Sequence, residues 1–293
     1  MPPTLLLHFD DETEAAQRIA QAANLPCARI ERHRFPDGEL KLRLPPHLPP
    51  HVALLRSLVQ PNEKLVELLL TAQTARALGA GRISLIAPYL AYMRQDMAFT
   101  AGEAVSQRIV GRFLAGLFDA LITVDPHLHR IALLTQAAPM ANAVALSGGP
   151  LLADLVAQHR PGALVVGPDE ESAQWVAQAA AHHGFDYAVC HKLRRGDRQV
   201  HIELPNYEVE GRAVVLLDDV ASSGHTLAQA ARGLLAAGAA SVDVAVTHAL
   251  FADDAGPLLW QAGVRQVWST DCIRHPSNAV SVAPVIARAL QKL

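Results

Sequence analysis

The chain has 293 residues, enough for about two domains of ordinary size, and 51% hydrophobic against 18% charged residues lets it bury a sizeable core. Its 28 acidic and 25 basic residues leave a formal charge of −3, which gives no basis for nonspecific nucleic-acid binding; a collagen, a short disulfide scaffold and a disordered tail are excluded as well. Cys27, Cys190 and Cys272 are odd in number, lie far apart and lack metal-ligand spacing, so a reducing, cytoplasmic compartment is expected.

The chain opens on Leu5-Leu6-Leu7 followed at once by Asp10, Asp11 and Glu12, which supplies neither a basic n-region nor a usable apolar h-region, so no secretory leader is expected. An uninterrupted apolar stretch of about 18 residues is also missing, so no membrane span is expected. Short runs rich in Val, Ile and Leu alternate with Ala-rich stretches of helical period, as at 62–78 and 226–237. That alternation predicts βαβ units around parallel sheets, hence an α/β fold.

In chain order, Arg34-Phe35-Pro36-Asp37-Gly38-Glu39 sets an aromatic and two acids around a tight turn, a pattern that a functionless hairpin would share. Val52 to Leu55 reads as a strand and a helix follows from Glu63. The run Pro88-Tyr89-Leu90-Ala91-Tyr92-Met93-Arg94-Gln95-Asp96, continued by Phe99-Thr100-Ala101-Gly102-Glu103-Ala104-Val105-Ser106, is polar and glycine-containing, as expected of a flexible loop over 92–106. Val124-Asp125-Pro126-His127-Leu128-His129 ends an apolar strand with two histidines, a pair that suits metal or phosphate. Ser147-Gly148-Gly149-Pro150 supplies turn chemistry at an expected boundary between a domain over 1–145 and one over 146–293. The extreme C-terminus is free to pack on the first of them. His191-Lys192-Leu193-Arg194-Arg195 places cations beside a strand.

The second half repeats the plan of the first at an offset of about 160 residues, which we read as an internal duplication. His8-Phe9-Asp10-Asp11-Glu12 is matched by Gly167-Pro168-Asp169-Glu170-Glu171, Val52 to Leu55 by Val214 to Leu217, and Gly79-Ala80 by Gly238-Ala239. The copies differ in chemistry. Where the second has Asp218-Asp219 and a small-residue turn, the first has Arg56-Ser57 and Gln60-Pro61-Asn62-Glu63, so the first loop is expected to be retired.

Residues 212–227 run from an apolar strand through Asp218-Asp219 and Ser222, Ser223, Gly224, His225 and Thr226 into an Ala-rich helix. Small side chains let backbone N–H groups approach a phosphate, and the helix N-terminus and the hydroxyls favour the anion. The acidic pair suits sugar hydroxyls or Mg²⁺ instead. A phosphorylated sugar meets both requirements. No Walker-type Gly-x-x-x-x-Gly-Lys-Ser/Thr is present, so a P-loop kinase is not expected.

This loop resembles the phosphoribosyl-diphosphate signature of phosphoribosyltransferases and ribose-phosphate diphosphokinases, with His225 standing where a second glycine is common. Together with Arg-Gln-Asp, Phe99 and Gly-Glu-Ala-Val-Ser, in this order, the chain resembles ribose-phosphate diphosphokinase over roughly residues 5–275, closest to the archaeal-type branch. The resemblance implies two tandem phosphoribosyltransferase-like domains and Mg²⁺-dependent transfer of the diphosphoryl group of ATP to ribose 5-phosphate, giving 5-phosphoribosyl 1-diphosphate and AMP. It implies that Phe35, Asp37, Glu39, Arg94, Gln95 and His127 bind ATP, typically at a site shared within a homo-oligomer. Asp218, Asp219, Ser222, Ser223, Gly224, His225 and Thr226 would bind ribose 5-phosphate, His127 and Asp169 the metal, and Lys192 and Arg194 would be catalytic. No nucleic-acid partner is implied. Met97-Ala98, where relatives place basic residues, and Glu170-Glu171, where a glycine is frequent, depart from the pattern. They leave open another phosphoribosyl or diphosphoryl transfer on the same scaffold, or a non-catalytic nucleotide-binding regulator.

Overall fold

The computed structural model describes residues 4–195, 199–204, 207–252 and 254–293, and for 192–195 and 199–201 the backbone alone. The chain divides into two units, residues 1–146 with 282–293, and residues 147–281.

In the first unit, apolar runs with no polar alternation become strands buried on both faces, as parallel sheets require. Strands β1 (Thr4–His8), β2 (Cys27–Arg29), β5 (His51–Leu55), β6 (Arg82–Ala87), β7 (Ala120–Val124) and β8 (Asn142–Leu146) form one sheet in the order β2-β1-β5-β6-β7-β8. Every neighbouring pair is parallel. Helices α1 (Thr13–Ala23), α2 (Pro61–Ala77), α3 (Ser106–Leu117) and the short α4 (Leu134–Ala137) provide the crossovers. A separate antiparallel hairpin joins β3 (Glu31–Arg34) to β4 (Leu40–Arg43). Leu7, Leu54, Leu85 and Leu121 lie in its core.

The second unit repeats this order. After α5 (Gly149–His159), strands β9 (Leu164–Gly167), β10 (Tyr187–Val189), β13 (Ala213–Ala221), β14 (Ser241–Ala249), β15 (Val264–Thr270) and β16 (Asn278–Val280) form a parallel sheet ordered β10-β9-β13-β14-β15-β16. Helices α6 (Ala173–His183), α7 (His225–Ala236) and α8 (Ala255–Gln261) connect them, and β11 (His191–Arg195) pairs with β12 (Gln199–Glu203) as the counterpart of β3–β4. Val166, Leu216, Val244 and Leu234 lie in this core.

The two strand orders match position for position, and each unit places a one-turn 3₁₀ helix after its first strand, Asp10–Glu12 and Glu170–Ser172. Helix α5 packs on α6; the equivalent cover of α1 comes from the C-terminal α9 (Ala283–Leu290). Its buried Ile286 and Leu290 explain why the last turn of the chain belongs to the first unit. Among the described residues no helix is long and apolar enough to cross a membrane.

Candidate active site

Ligands of open parallel sheets bind beyond the carboxyl ends of the strands. In the second unit those ends carry acids. Strand β13 runs through Asp218 and Asp219, and its neighbour β9, paired through Leu216 and Val166, ends at Gly167 just before Pro168-Asp169. Asp219 and Asp169 are buried and Asp218 is half-buried.

Local hydrogen bonds fix this cluster. The Asp219 N–H donates to the Asp218 carboxylate at 3.0 Å, and the Asp169 carboxylate accepts from the Glu171 N–H at 3.1 Å. Ser172 Oγ donates to the Asp169 carbonyl at 2.6 Å. Gly167 makes this possible, because a Cβ there would stand 2.2 Å from Ser172 Oγ. Burial pushes the Asp218 carboxyl well above the usual carboxylate range, and the charges of Asp219 and Asp169 push it further. Three carboxylates thus act on one another at neighbouring strand ends. Their hard oxygen donors fit a divalent cation such as Mg²⁺, and they fit sugar hydroxyls as hydrogen-bond donors.

The phosphate turn follows. Gly224 takes φ +73°, a left-handed conformation that favours glycine, and leads into α7 at His225. The turn is held from outside, since the Phe251 N–H donates to the Ala221 carbonyl at 2.9 Å and the Ala252 N–H to the Ser222 carbonyl at 3.0 Å. Ser222 and Thr226 are half-buried and Ser223 and His225 exposed, so the turn presents hydroxyls and amides to solvent at the positive end of a 12-residue helix. Lys192 and Arg194 belong to β11, paired with Ile202 and Val200 of β12; their side chains lie outside the described residues.

The first unit has the same strand ends and a different filling. The Arg56 guanidinium occupies the position of the acidic pair, 1% exposed. It donates to Asp11 at 2.9 Å, to Glu12 at 3.0 Å and to Glu67 at 2.7 Å, and lies 4.6 Å over the Phe9 ring. The Ser57 N–H donates to Glu12 at 2.6 Å and Lys64 Nζ to the Ser57 carbonyl at 2.6 Å. Burial raises the Glu12 carboxyl against the pull of Arg56, and it lowers the Lys64 ammonium together with Arg56. A protein cation thus stands where the second unit carries its acidic pair.

What remains is an outer cavity of about 400 Å³, lined among others by Arg32, Arg34, Arg56, Glu63 and Lys64. Two of these hold the β3–β4 hairpin: Arg32 pairs with Glu67 and, at 2.9 Å, with Asp10, while Arg34 pairs with Glu63. The hairpin tip carries exposed Phe35, Asp37 and Glu39. Phe35 N–H donates to the Glu39 carbonyl at 2.8 Å, and the Asp37 carboxylate accepts from the Glu39 N–H at 3.1 Å. Arg94 is exposed and Gln95 half-buried in the long segment between β6 and α3, where Gln95 Nε2 donates to the Met97 carbonyl at 2.9 Å. His127 and His129 meet edge to face with centroids 3.8 Å apart after β7. The site residues thus fall in two sets, one in each unit.

Residues 4–117 match the N-terminal domain of ribose phosphate pyrophosphokinase and residues 148–285 the phosphoribosyl transferase domain. The ribose-phosphate pyrophosphokinase of Methanopyrus kandleri is 36% identical over 292 residues, covering 99% of each chain. The chain belongs to the ribose-phosphate pyrophosphokinase family. The pyrophosphokinase of Methanosarcina acetivorans is similar at 33% identity over 95% of this chain and 96% of the relative. The crystal structure of the phosphoribosylpyrophosphate synthetase of Mycobacterium smegmatis matches at a TM-score of 0.82 and 25% identity, covering 98% of each chain. As a ribose-phosphate pyrophosphokinase the chain is an enzyme, and its relatives' matches extend through both units.

Sequence reasoning missed the ion network behind the hairpin and one cation near the loop. Arg130 donates to the buried Asp96 at 2.6 Å and lies 5.8 Å over the Phe99 ring, so a cation from the next connection reaches the segment where Met97-Ala98 supplies none. The only sequence signal was an arginine just after the two histidines. The Glu170 of the other departure is engaged too, by the His191 ring at 3.0 Å.

Proposed function

We propose that the chain catalyses Mg²⁺-dependent transfer of the diphosphoryl group of ATP to the anomeric hydroxyl of ribose 5-phosphate, giving 5-phosphoribosyl 1-diphosphate and AMP. The observation that carries this reading is the joint presence, in the second unit alone, of the Asp169, Asp218 and Asp219 carboxylates and the small-residue turn at the start of α7. One end suits ribose hydroxyls and the other a 5-phosphate.

The anomeric oxygen attacks the β-phosphorus of ATP and AMP departs from it, with negative charge spread over the transferring oxygens in the transition state. Asp218 and Asp219 orient the ribose through its hydroxyls, while Ser222, Ser223, Gly224, His225 and Thr226 hold the 5-phosphate. Asp169 and His127 are the proposed metal contacts; bound there, Mg²⁺ neutralises phosphate charge. Lys192 and Arg194 offset charge on the group in flight, and each such contact is worth about 3 kcal/mol by analogy with loss of one preorganised donor.

Phe35, Asp37, Glu39, Arg94 and Gln95 are proposed to hold ATP. The exposure of the hairpin tip is consistent with presentation to a nucleotide in a homo-oligomer. Three cysteines without a disulfide fit a reducing, cytoplasmic compartment. The test is AMP release from Mg-ATP and ribose 5-phosphate. Asp219→Ala is expected to abolish turnover while ATP still binds, and Ser57→Ala at the retired loop to change little. No AMP from the wild-type chain, with nucleotide formed instead from phosphoribosyl diphosphate and a nucleobase, would overturn the reading.

A further inference from the structure

Away from the strand ends, α5 and α6 pack side by side and bring three ligand-type side chains together at one end of their interface. Asp154 stands on α5, and His182 and His183 close α6. Both imidazoles turn to one carboxylate oxygen: Nε2 of His182 lies 3.1 Å and Nε2 of His183 2.7 Å from Asp154 Oδ1. Successive residues of a helix point about 100° apart, so two adjacent rings converging on a single atom is not what two independent surface histidines do.

From this convergence we infer that Asp154, His182 and His183 form a surface site for a borderline transition-metal ion of the Zn²⁺, Ni²⁺ or Cu²⁺ class. Two imidazole nitrogens and one carboxylate oxygen select such ions over Mg²⁺, which prefers an all-oxygen shell. The spacing fits. With metal–ligand distances of about 2.0–2.2 Å and tetrahedral angles the donors stand about 3.3 Å apart, close to the 3.1 Å of His182 and Asp154 and wider than the 2.7 Å of His183 and Asp154, while all three donor atoms lie within 4.8 Å of one another.

The surroundings favour a cation. The rings cap the C-terminal, negative end of an 11-residue helix, which closes at Gly184 with φ +69°. All three residues are exposed, so an ion enters without opening the fold and keeps water at its remaining positions.

The site uses no residue assigned to ATP or ribose 5-phosphate, so its test is independent of that assignment. The full-length protein at pH 7.5, with excess Mg²⁺ to fill oxygen-donor sites, is titrated calorimetrically with Zn²⁺ and with Ni²⁺. Wild type is expected to bind one equivalent that Asp154→Asn and His183→Gln each weaken at least tenfold, while Mg²⁺-dependent AMP release is unchanged. Zn²⁺ is also expected to raise the Tm of wild type and not of the His182→Gln/His183→Gln protein, because the ion ties α5 to α6. Equal affinities in wild type and variants, or no binding equivalent that the variants remove, would overturn the inference.

Discussion

The guanidinium of Arg56 and the carboxylate of Glu67 meet at 2.7 Å with 1% and 0% of their side chains exposed, at the strand ends where the second unit holds Asp218 and Asp219. Arg56 pairs there with Asp11, Glu12 and Glu67, and Arg32 reaches Glu67 as well, so the first unit holds an ion cluster at these strand ends. Removing Arg56 takes a guanidinium from the buried Glu67 and from Glu12, leaving Glu67 with Arg32 alone. Arg56→Ala is therefore expected to lower unfolding free energy by about 3–5 kcal/mol, read as a shift in urea midpoint at unchanged slope.

The same cluster reaches the hairpin that carries Phe35, Asp37 and Glu39, because Glu67 binds Arg32 of β3 as well as Arg56. Arg32→Ala removes that tie while Glu67 keeps Arg56, so the fold is expected to survive. If the tip meets ATP, a loss of positioning worth ~1 kcal/mol would raise the KM for ATP about fivefold with kcat nearly unchanged. A matching fall in kcat and no change in KM would place the tip away from the nucleotide.

The α/β class, the tandem copies and the strand–turn–helix that carries Asp218 and Asp219 were legible because each rests on local chemistry: unbroken apolar runs, an offset of about 160 residues, and two acids followed by small residues. The different chemistry of the first copy was legible too, from Arg56 standing in the sequence where the second copy has its acids. What Arg56 does there was not, since its partners Asp11 and Glu67 lie 45 and 11 residues away and only folding joins them. The packing of the chain's end on the first domain was legible as well, and α9 covers α1 there. Arg130 and Asp96 are 34 residues apart, and although Asp96 ends the Arg-Gln-Asp motif, nothing in that motif names Arg130 as its partner.

Gly167 shows the same economy at a single residue. A methyl there would stand 2.2 Å from Ser172 Oγ and 3.3 Å from a Val176 methyl, so the serine would have to turn away and give up its 2.6 Å bond to the Asp169 carbonyl. Gly167→Ala is expected to cost about 1–3 kcal/mol and to weaken Mg²⁺-dependent activity through Asp169. Combining it with Ser172→Ala removes the clash and is expected to cost less than the sum of the two, which a double-mutant cycle by thermal unfolding checks.

The thiols differ as sharply. Burial pushes the Cys190 thiol up to about 12, with Asp169 and Glu170 adding to it, whereas Cys27 is exposed. The thiolate is the reactive form, so iodoacetamide at pH 8 is expected to label Cys27 in the native protein and to leave Cys190 untouched until the chain is denatured. Peptide mass mapping reads the outcome. Rapid native labelling of Cys190 would mean that the segment after β10 opens.

Asp218 gives the pH dependence. Its carboxyl is raised by burial and by Asp219 and Asp169, so between the ordinary carboxylate range and its own elevated value the folded protein binds a proton that the unfolded chain has released. Proton uptake on folding makes stability fall as pH rises, so in metal-free protein this contribution is intact below about pH 4 and lost progressively above it. Asp218→Asn removes the charge while keeping the shape. The variant is expected to be inactive yet to unfold at a higher temperature than wild type in EDTA at pH 7.5, with the difference shrinking toward pH 5. Added Mg²⁺ is expected to narrow the gap by stabilising wild type more than the variant, since the variant offers the ion one carboxylate fewer. A variant that melts below wild type at every pH would show that the Asp218 carboxylate is satisfied within the apo fold.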